Sequence, residues 1–156
     1  MGGLGNQMQQ YALYEKFKAL GKETRLDTSW FDNASMQENV LARRSLELRL
    51  FDNLTYEACT PQEREDLLGK EGFFNKLERK LFPSKNKRFY ESEMFHPEIF
   101  KFDDVYLEGH WACEKYYHDI MPLLQSKIIF PKTDNIQNNM LKNKMNSENS
   151  VSIHIR

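Results

Sequence analysis

Apolar side chains recur at near-helical spacing between Met8 and Leu20. Met8, Tyr11, Ala12 and Leu20 mark the face, and Leu13, Tyr14 and Phe17 widen it. The spacing predicts a helix that starts near Asn6, directly after Gly2, Gly3 and Gly5, with Gly21 as its stop. The short alternation Glu23-Thr24-Arg25-Leu26-Asp27 then predicts a strand. Glycine turn, helix and strand are the later parts of a βαβ unit, whose first strand would precede the glycines. Because only Met1 stands there, the start of the chain is expected to be cut.

Residues 28–60 mix aromatic and polar side chains without a long period, which predicts turns and short helices. Pro61 through Leu81 reads as helical with interruptions near Gly69 and Gly72, and Phe73, Phe74, Leu77 and Leu81 form one apolar face of its second part. Val105-Tyr106-Leu107 reads as a strand ending at Gly109. Glu114 to Gln125 reads as a helix that Pro122 kinks or breaks. Residues 132–149 are rich in Asn and Lys, a weak helix or linker whose apolar side chains are Ile136, Met140, Leu141 and Met145. From Val151 to Arg156 the alternation is strict. Val151, Ile153 and Ile155 share one face, while Ser152, His154 and Arg156 share the other. The organisation expected is an α/β domain over residues 1–131, a helix or linker over 132–150, and over 151–156 a first strand of a further domain, cut as its binding end begins.

Composition narrows the function classes. Apolar residues are 40% of the 156, below the usual ~45–50%, so the core should be thin for the length. A net charge of −1 offers no global basic field for nucleic acid. Cys59 and Cys113 make no disulfide framework and no zinc spacing, which points to a reducing, cytoplasmic setting. Apolar runs are too short for a membrane span or a signal peptide. Between Lys70 and Arg88 seven basic residues meet two acidic ones. A basic amphipathic helix from Phe73 to Arg88 would allow peripheral contact with an anionic inner membrane, although a packed helix with a solvated basic face ranks ahead of it. His96, His110 and His118 lack ligand spacing, so no metal is expected, and Asp103-Asp104 reads as a turn. Trp30 and Trp111 could stack on a sugar but rank first as core.

Two segments carry candidate chemistry. In Gly2-Gly3-Leu4-Gly5-Asn6-Gln7 the glycines permit close backbone approach, and the helix N-terminus behind them offers N–H groups to an anion. The segment is neither a Walker A loop nor a full G-x-G-x-x-G, and on spacing alone a plain strand-to-helix turn ranks slightly ahead. In His154-Ile155-Arg156 a guanidinium fork suits a diphosphate and His154 could donate beside it, though alone the pattern is an ordinary wet strand face.

Four blocks in order resemble the α-1,2-fucosyltransferases of glycosyltransferase family 11. GGLGNQMQQYAL is similar to that family's GGLGNQMFQYA opening, and Arg44-Ser45-Leu46-Glu47-Leu48 with Phe51 to its R-x-F-E-L…F segment. YLEGHWACEKYYHDI, from Tyr106 to Ile120, resembles its YLxGYWQSEKYF block, and SVSIHIR the start of its HxRRGDY motif. Gln9 stands where the family has Phe, and His110 where Tyr is common. The resemblance implies the Rossmann-like, helix-rich N-terminal half of a GT-B-type enzyme of glycan or surface-polysaccharide synthesis. Such an enzyme moves L-fucose from GDP-fucose to the 2-hydroxyl of a galactoside, inverts the anomeric carbon and uses no metal. It implies donor contacts by His154 and Arg156, a Gly-rich loop near the cleft at Gly2, Gly3, Gly5, Asn6 and Gln7, and no assignable base. The rest of the diphosphate site would follow Arg156, so the chain alone is expected to lack transfer activity. The alternatives are a catalytically inactive truncated remnant or a non-enzymatic nucleotide- or sugar-binding module.

Overall fold

The computed structural model describes residues 2–38, 40, 42–69, 87–92, 95–151 and 153. Among the described residues, helices and 3₁₀ turns accompany one small parallel sheet, a mixed α/β arrangement.

The organising element is α1, Leu4–Ala19. Between Tyr11 and Phe17 every residue except Lys16 is buried, so this helix is covered almost all round. One side, Ala12, Leu13 and Phe17, packs with Ile99, Trp111, Tyr116, Tyr117 and Leu124. The other side, Tyr11 and Tyr14, packs with Leu46 and Leu48. Two modest cores thus share one helix. The helix stops at Gly21, whose φ of +74° lets its N–H reach back to the Lys18 carbonyl at 2.9 Å. It begins at Leu4, two residues before the predicted start. Gly5, Asn6 and Gln7 therefore belong to its first turns rather than to a loop.

The strand predicted over Glu23 to Asp27 is not formed. Only Leu26 pairs, in an isolated parallel bridge to Ala58, with Leu26 N–H donating to the Glu57 carbonyl at 2.9 Å and Cys59 N–H to the Leu26 carbonyl at 3.0 Å. The ladder stops because Asp27 Oδ1 accepts the Ser29 N–H at 2.9 Å and turns the chain into α2, Ser29–Asp32. Short 3₁₀ turns follow at Ala34–Gln37 and Glu47–Leu50, as the lack of period in residues 28–60 predicts.

Helix α3, Pro61–Leu68, starts on a reciprocal cap between Thr60 and Glu63 with Pro61 in its first turn. It ends at Gly69, φ +73°. Residues 70–86, which carry the second half of the predicted Pro61–Leu81 helix and most of the basic stretch, lie outside the described residues. Strand β1, Arg88–Tyr90, pairs in parallel with β2, Tyr106–Glu108. β2 is displaced by one residue from its prediction, and β1 was hidden at the end of the basic run. Phe89 and Leu107 face the first core. On the opposite face Arg88 pairs with Glu108 and lies 4.6 Å from the centre of the Tyr90 ring.

The helix predicted over Glu114 to Gln125 resolves into 3₁₀ turns at Glu114–Tyr116 and His118–Ile120, then α4, Met121–Lys127. Pro122 opens α4 instead of kinking a longer helix, because its missing N–H costs nothing in a first turn. Helix α5, Ile136–Ser147, is exposed along its whole length, Ile136, Met140, Leu141 and Met145 included. Of the strand predicted over 151–156, Val151 and Ile153 are exposed and outside any strand, and the other four residues lie outside the described ones. Among the described residues no helix is long and apolar enough to cross a membrane.

Candidate functional site around the first turn of α1

Two buried glutamines build the site. Gln7, 1% exposed, donates through Nε2 to the carbonyls of Gly2 and Ser45, both at 3.0 Å. Its Oε1 accepts the N–H groups of Glu47 at 2.7 Å and Leu48 at 3.3 Å. Gln37, also buried, accepts the Arg44 N–H at 2.8 Å and donates to the carbonyls of Arg44 at 3.1 Å and Trp30 at 3.2 Å. The irregular segment 44–48 has no ladder of its own, so these side chains satisfy its backbone groups.

That clamp brings two charged side chains to the head of α1. A Cβ placed on Gly3 would lie 3.7 Å from Arg44 Nη1 and 4.0 Å from Glu47 Oε2. Gly3 is the N-cap and offers no side chain to the helix, and the first turn carries no acidic residue. The first N–H groups of a helix have no intrahelical acceptor and sit at the positive end of its dipole. Among the described residues the exposed Arg44 guanidinium has no hydrogen-bond or ion-pair partner. Asn6 folds over Gly2, where an added Cβ would meet its Nδ2 at 2.1 Å. The result is an exposed electropositive corner with one carboxylate beside it, suited to an anion or a polyhydroxyl ligand.

Gln10, one turn further along α1, donates to the Gly109 carbonyl at 3.0 Å. This holds the turn that leaves the C-terminal end of β2. Glu91, just past β1, accepts the His110 and Trp111 N–H groups through Oε2, each at 2.7 Å. Trp111 is held at φ +58° with its ring 2% exposed, a core residue as its rank predicted. His110 is exposed at this end of the sheet, where open α/β sheets bind ligands.

The same turn borders a cleft of about 1190 Å³ between α1, the 22–30 segment, α3 and the outer face of the sheet. On its wall Asp27 Oδ2 accepts the Tyr106 hydroxyl at 2.7 Å and lies 3.2 Å from Arg64 Nε, which is out of line for a hydrogen bond. Burial alone would raise the Asp27 carboxyl. Hydrogen bonds from Ser29 and Tyr106, with the Arg64 charge, outweigh it and hold the group below its usual range. Burial, then Asp27 itself, pushes the Tyr106 hydroxyl well above the ordinary phenol range.

Of the residues singled out in the sequence, Gly2, Gly3, Gly5, Asn6 and Gln7 gather at the head of α1, but Gln7 is committed to backbone contacts. His154 and Arg156 lie outside the described residues. Arg44 and Glu47 appear in the sequence only as part of a matching block. Their three-residue spacing just ahead of a short turn was the available signal. Gln9 keeps its Oε1 buried without a hydrogen-bond partner among the described residues. Among those residues no group of three or more His, Cys, Asp or Glu is placed to hold a metal ion. No family model, curated protein or solved structure matches the chain.

Proposed function

We propose that this chain supplies the acceptor-side, Rossmann-like half of a GT-B-type inverting α-1,2-fucosyltransferase, acting on GDP-fucose and a galactoside in glycan or surface-polysaccharide synthesis. The observation that carries the reading is contact between blocks far apart in sequence. Gln7 of the first block bonds Ser45, Glu47 and Leu48 of the second, and Gln10 of the first bonds Gly109 of the third. Matches arising by chance have no reason to converge on one corner, whereas parts of one site do.

An inverting transfer needs a base for the attacking hydroxyl and positive charge on the departing diphosphate. In this reading Glu47 is the carboxylate that takes the acceptor proton. Arg44 and the first N–H groups of α1 hold the polar substrate edge beside it. His154 and Arg156 meet the diphosphate. Cys59 and Cys113, neither in a disulfide, suit a reducing cytoplasm.

The test is fucosyl transfer by the complete reading frame that contains this chain, with GDP-fucose and β-galactosides, together with galactoside titration of the 156-residue chain by NMR. The expected results are GDP release with an α-1,2-linked product, and shifts confined to Asn6, Arg44, Glu47 and His110. A folded protein that neither releases GDP nor responds to any galactoside refutes the proposal. Binding without turnover favours the non-enzymatic sugar- or nucleotide-binding module, for which the open head of α1 is the supporting feature.

A further inference from the structure

In the segment that follows β1 and Glu91, three side chains are linked in line. Ser92 Oγ lies 2.5 Å from His96 Nε2, and His96 Nδ1 lies 2.8 Å from Glu98 Oε1. A hydroxyl on one ring nitrogen and a carboxylate on the other is the arrangement that activates a serine nucleophile. We propose that Ser92, His96 and Glu98 form a nucleophilic triad that cleaves small, unhindered carboxylic esters.

The imidazole is held on several sides. Its own backbone N–H donates to the hydroxyl of the fully buried Tyr116 at 2.9 Å. The Phe89 ring meets it edge-on at 5.3 Å between centroids. The carboxylate at Nδ1 keeps the proton on that nitrogen, so Nε2 is left to accept from Ser92. Glu98 is suited to this. Its own backbone N–H first, then the His96 ring, hold its carboxyl below the ordinary range, and Lys101 adds to the effect. Ser92 is exposed and the His96 side chain is 18% exposed, so a substrate can reach the pair while the ring keeps its place.

The chemistry closes without any further reactant than water. Ser92 Oγ forms a bond to the acyl carbon as its proton passes to His96 Nε2. The carbon–oxygen bond to the leaving group then breaks, and the leaving alkoxide takes that proton and departs as the alcohol. Water repeats the sequence on the acyl-serine, releasing the carboxylic acid and restoring the Ser92 hydroxyl. Glu98 acts as a positioning residue, stabilising the imidazolium that forms in each half.

This inference is independent of the transfer reading, and its test is separate. The folded 156-residue chain is treated with a fluorophosphonate, which bonds to an activated serine Oγ with loss of fluoride, and the adduct is located by peptide mass spectrometry. Turnover of p-nitrophenyl acetate is followed in parallel. Positioned base catalysis contributes about 10²–10⁴-fold, so Ser92 should label at least about 100-fold faster than the exposed Ser126 of the same chain. Ser92→Ala and His96→Gln, with circular dichroism unchanged, should return labelling and turnover to background. Glu98→Gln should lower kcat for p-nitrophenyl acetate with KM little changed, and Glu98→Asp should restore part of it, which a merely structural side chain would not do. Labelling of Ser92 no faster than Ser126, or labelling that survives in His96→Gln, overturns the proposal.

Discussion

Gln7 Oε1 accepts the backbone N–H of Glu47 at 2.7 Å across 40 positions of chain, so a buried amide on α1 sets where a carboxylate beside Gly3 stands. Replacing Gln7 with Ala leaves the buried Leu48 N–H, the half-buried Glu47 N–H and the Ser45 carbonyl without their Gln7 partner. The expected loss is about 3 kcal/mol, seen as a lower urea midpoint. Gln7→Glu should lose nearly as much, because a carboxylate cannot donate to the Gly2 and Ser45 carbonyls.

Glycine positions separate close approach from mere flexibility. A Cβ on Gly109 would lie 2.4 Å from Glu91 Cβ and 2.6 Å from Glu91 Oε2, so Gly109→Ala must displace the carboxylate that holds the His110 and Trp111 N–H groups. A destabilisation of at least about 2 kcal/mol is expected, with a changed near-UV signal from Trp111. A Cβ on Gly5 meets nothing within 4 Å, and the residue is helical. Gly5→Ala should therefore stabilise by about 0.5–1 kcal/mol in thermal or urea unfolding.

Asp27 makes stability depend on pH. Its folded carboxyl is held below the ordinary value, so its contribution is present above that ordinary value and is lost as pH falls through the folded one. Asp27→Asn should cost about 2 kcal/mol at pH 7, where hydrogen bonds to a charged acceptor are lost. The gap to the parent chain should narrow as pH drops below the carboxylate range. A gap of constant size from pH 7 into that range would show that the charge on Asp27 contributes nothing.

Glu15, 3% exposed, accepts Tyr11 Oη at 2.8 Å and Lys127 Nζ at 2.7 Å. This ties α4 to the centre of α1. Lys127→Ala leaves a buried carboxylate with Tyr11 as its hydrogen-bond donor and should cost about 3 kcal/mol. Replacing Glu15 and Lys127 together by Leu and Met should cost much less, which a double-mutant cycle on urea unfolding measures.

At the head of α1, Glu47→Gln keeps the backbone bond to Gln7 and should leave stability within about 0.5 kcal/mol. If Glu47 takes the acceptor proton, the complete reading frame carrying this change loses about 10²-fold or more in kcat with KM little altered. If Arg44 holds the polar substrate edge as proposed, Arg44→Lys, which keeps charge but not the planar fork, should weaken galactoside or donor binding more than it changes folding.

Local physics was legible before any fold was known. The 3.6-residue spacing located α1, Gly21 marked its end through a left-handed backbone, and Pro61 marked where α3 starts, while Gly69 read as an interruption and is the end of α3. Such signals act within one turn of chain, so sequence alone determined them. Tertiary contact decided the rest. Tyr106 and Arg64 came to the Asp27 carboxylate from 79 and 37 residues away to build the wall of the cleft, and β1 formed at the end of a basic run because Phe89 found the core beneath it. The pairing of Gln7 with Glu47, of Gln10 with Gly109 and of Asp27 with Tyr106 depends on how the buried face of α1 divides between two cores, which its nearly continuous apolar stretch does not encode. A hydrogen bond to a distant backbone group leaves no periodic trace, because either partner alone reads as an ordinary polar residue.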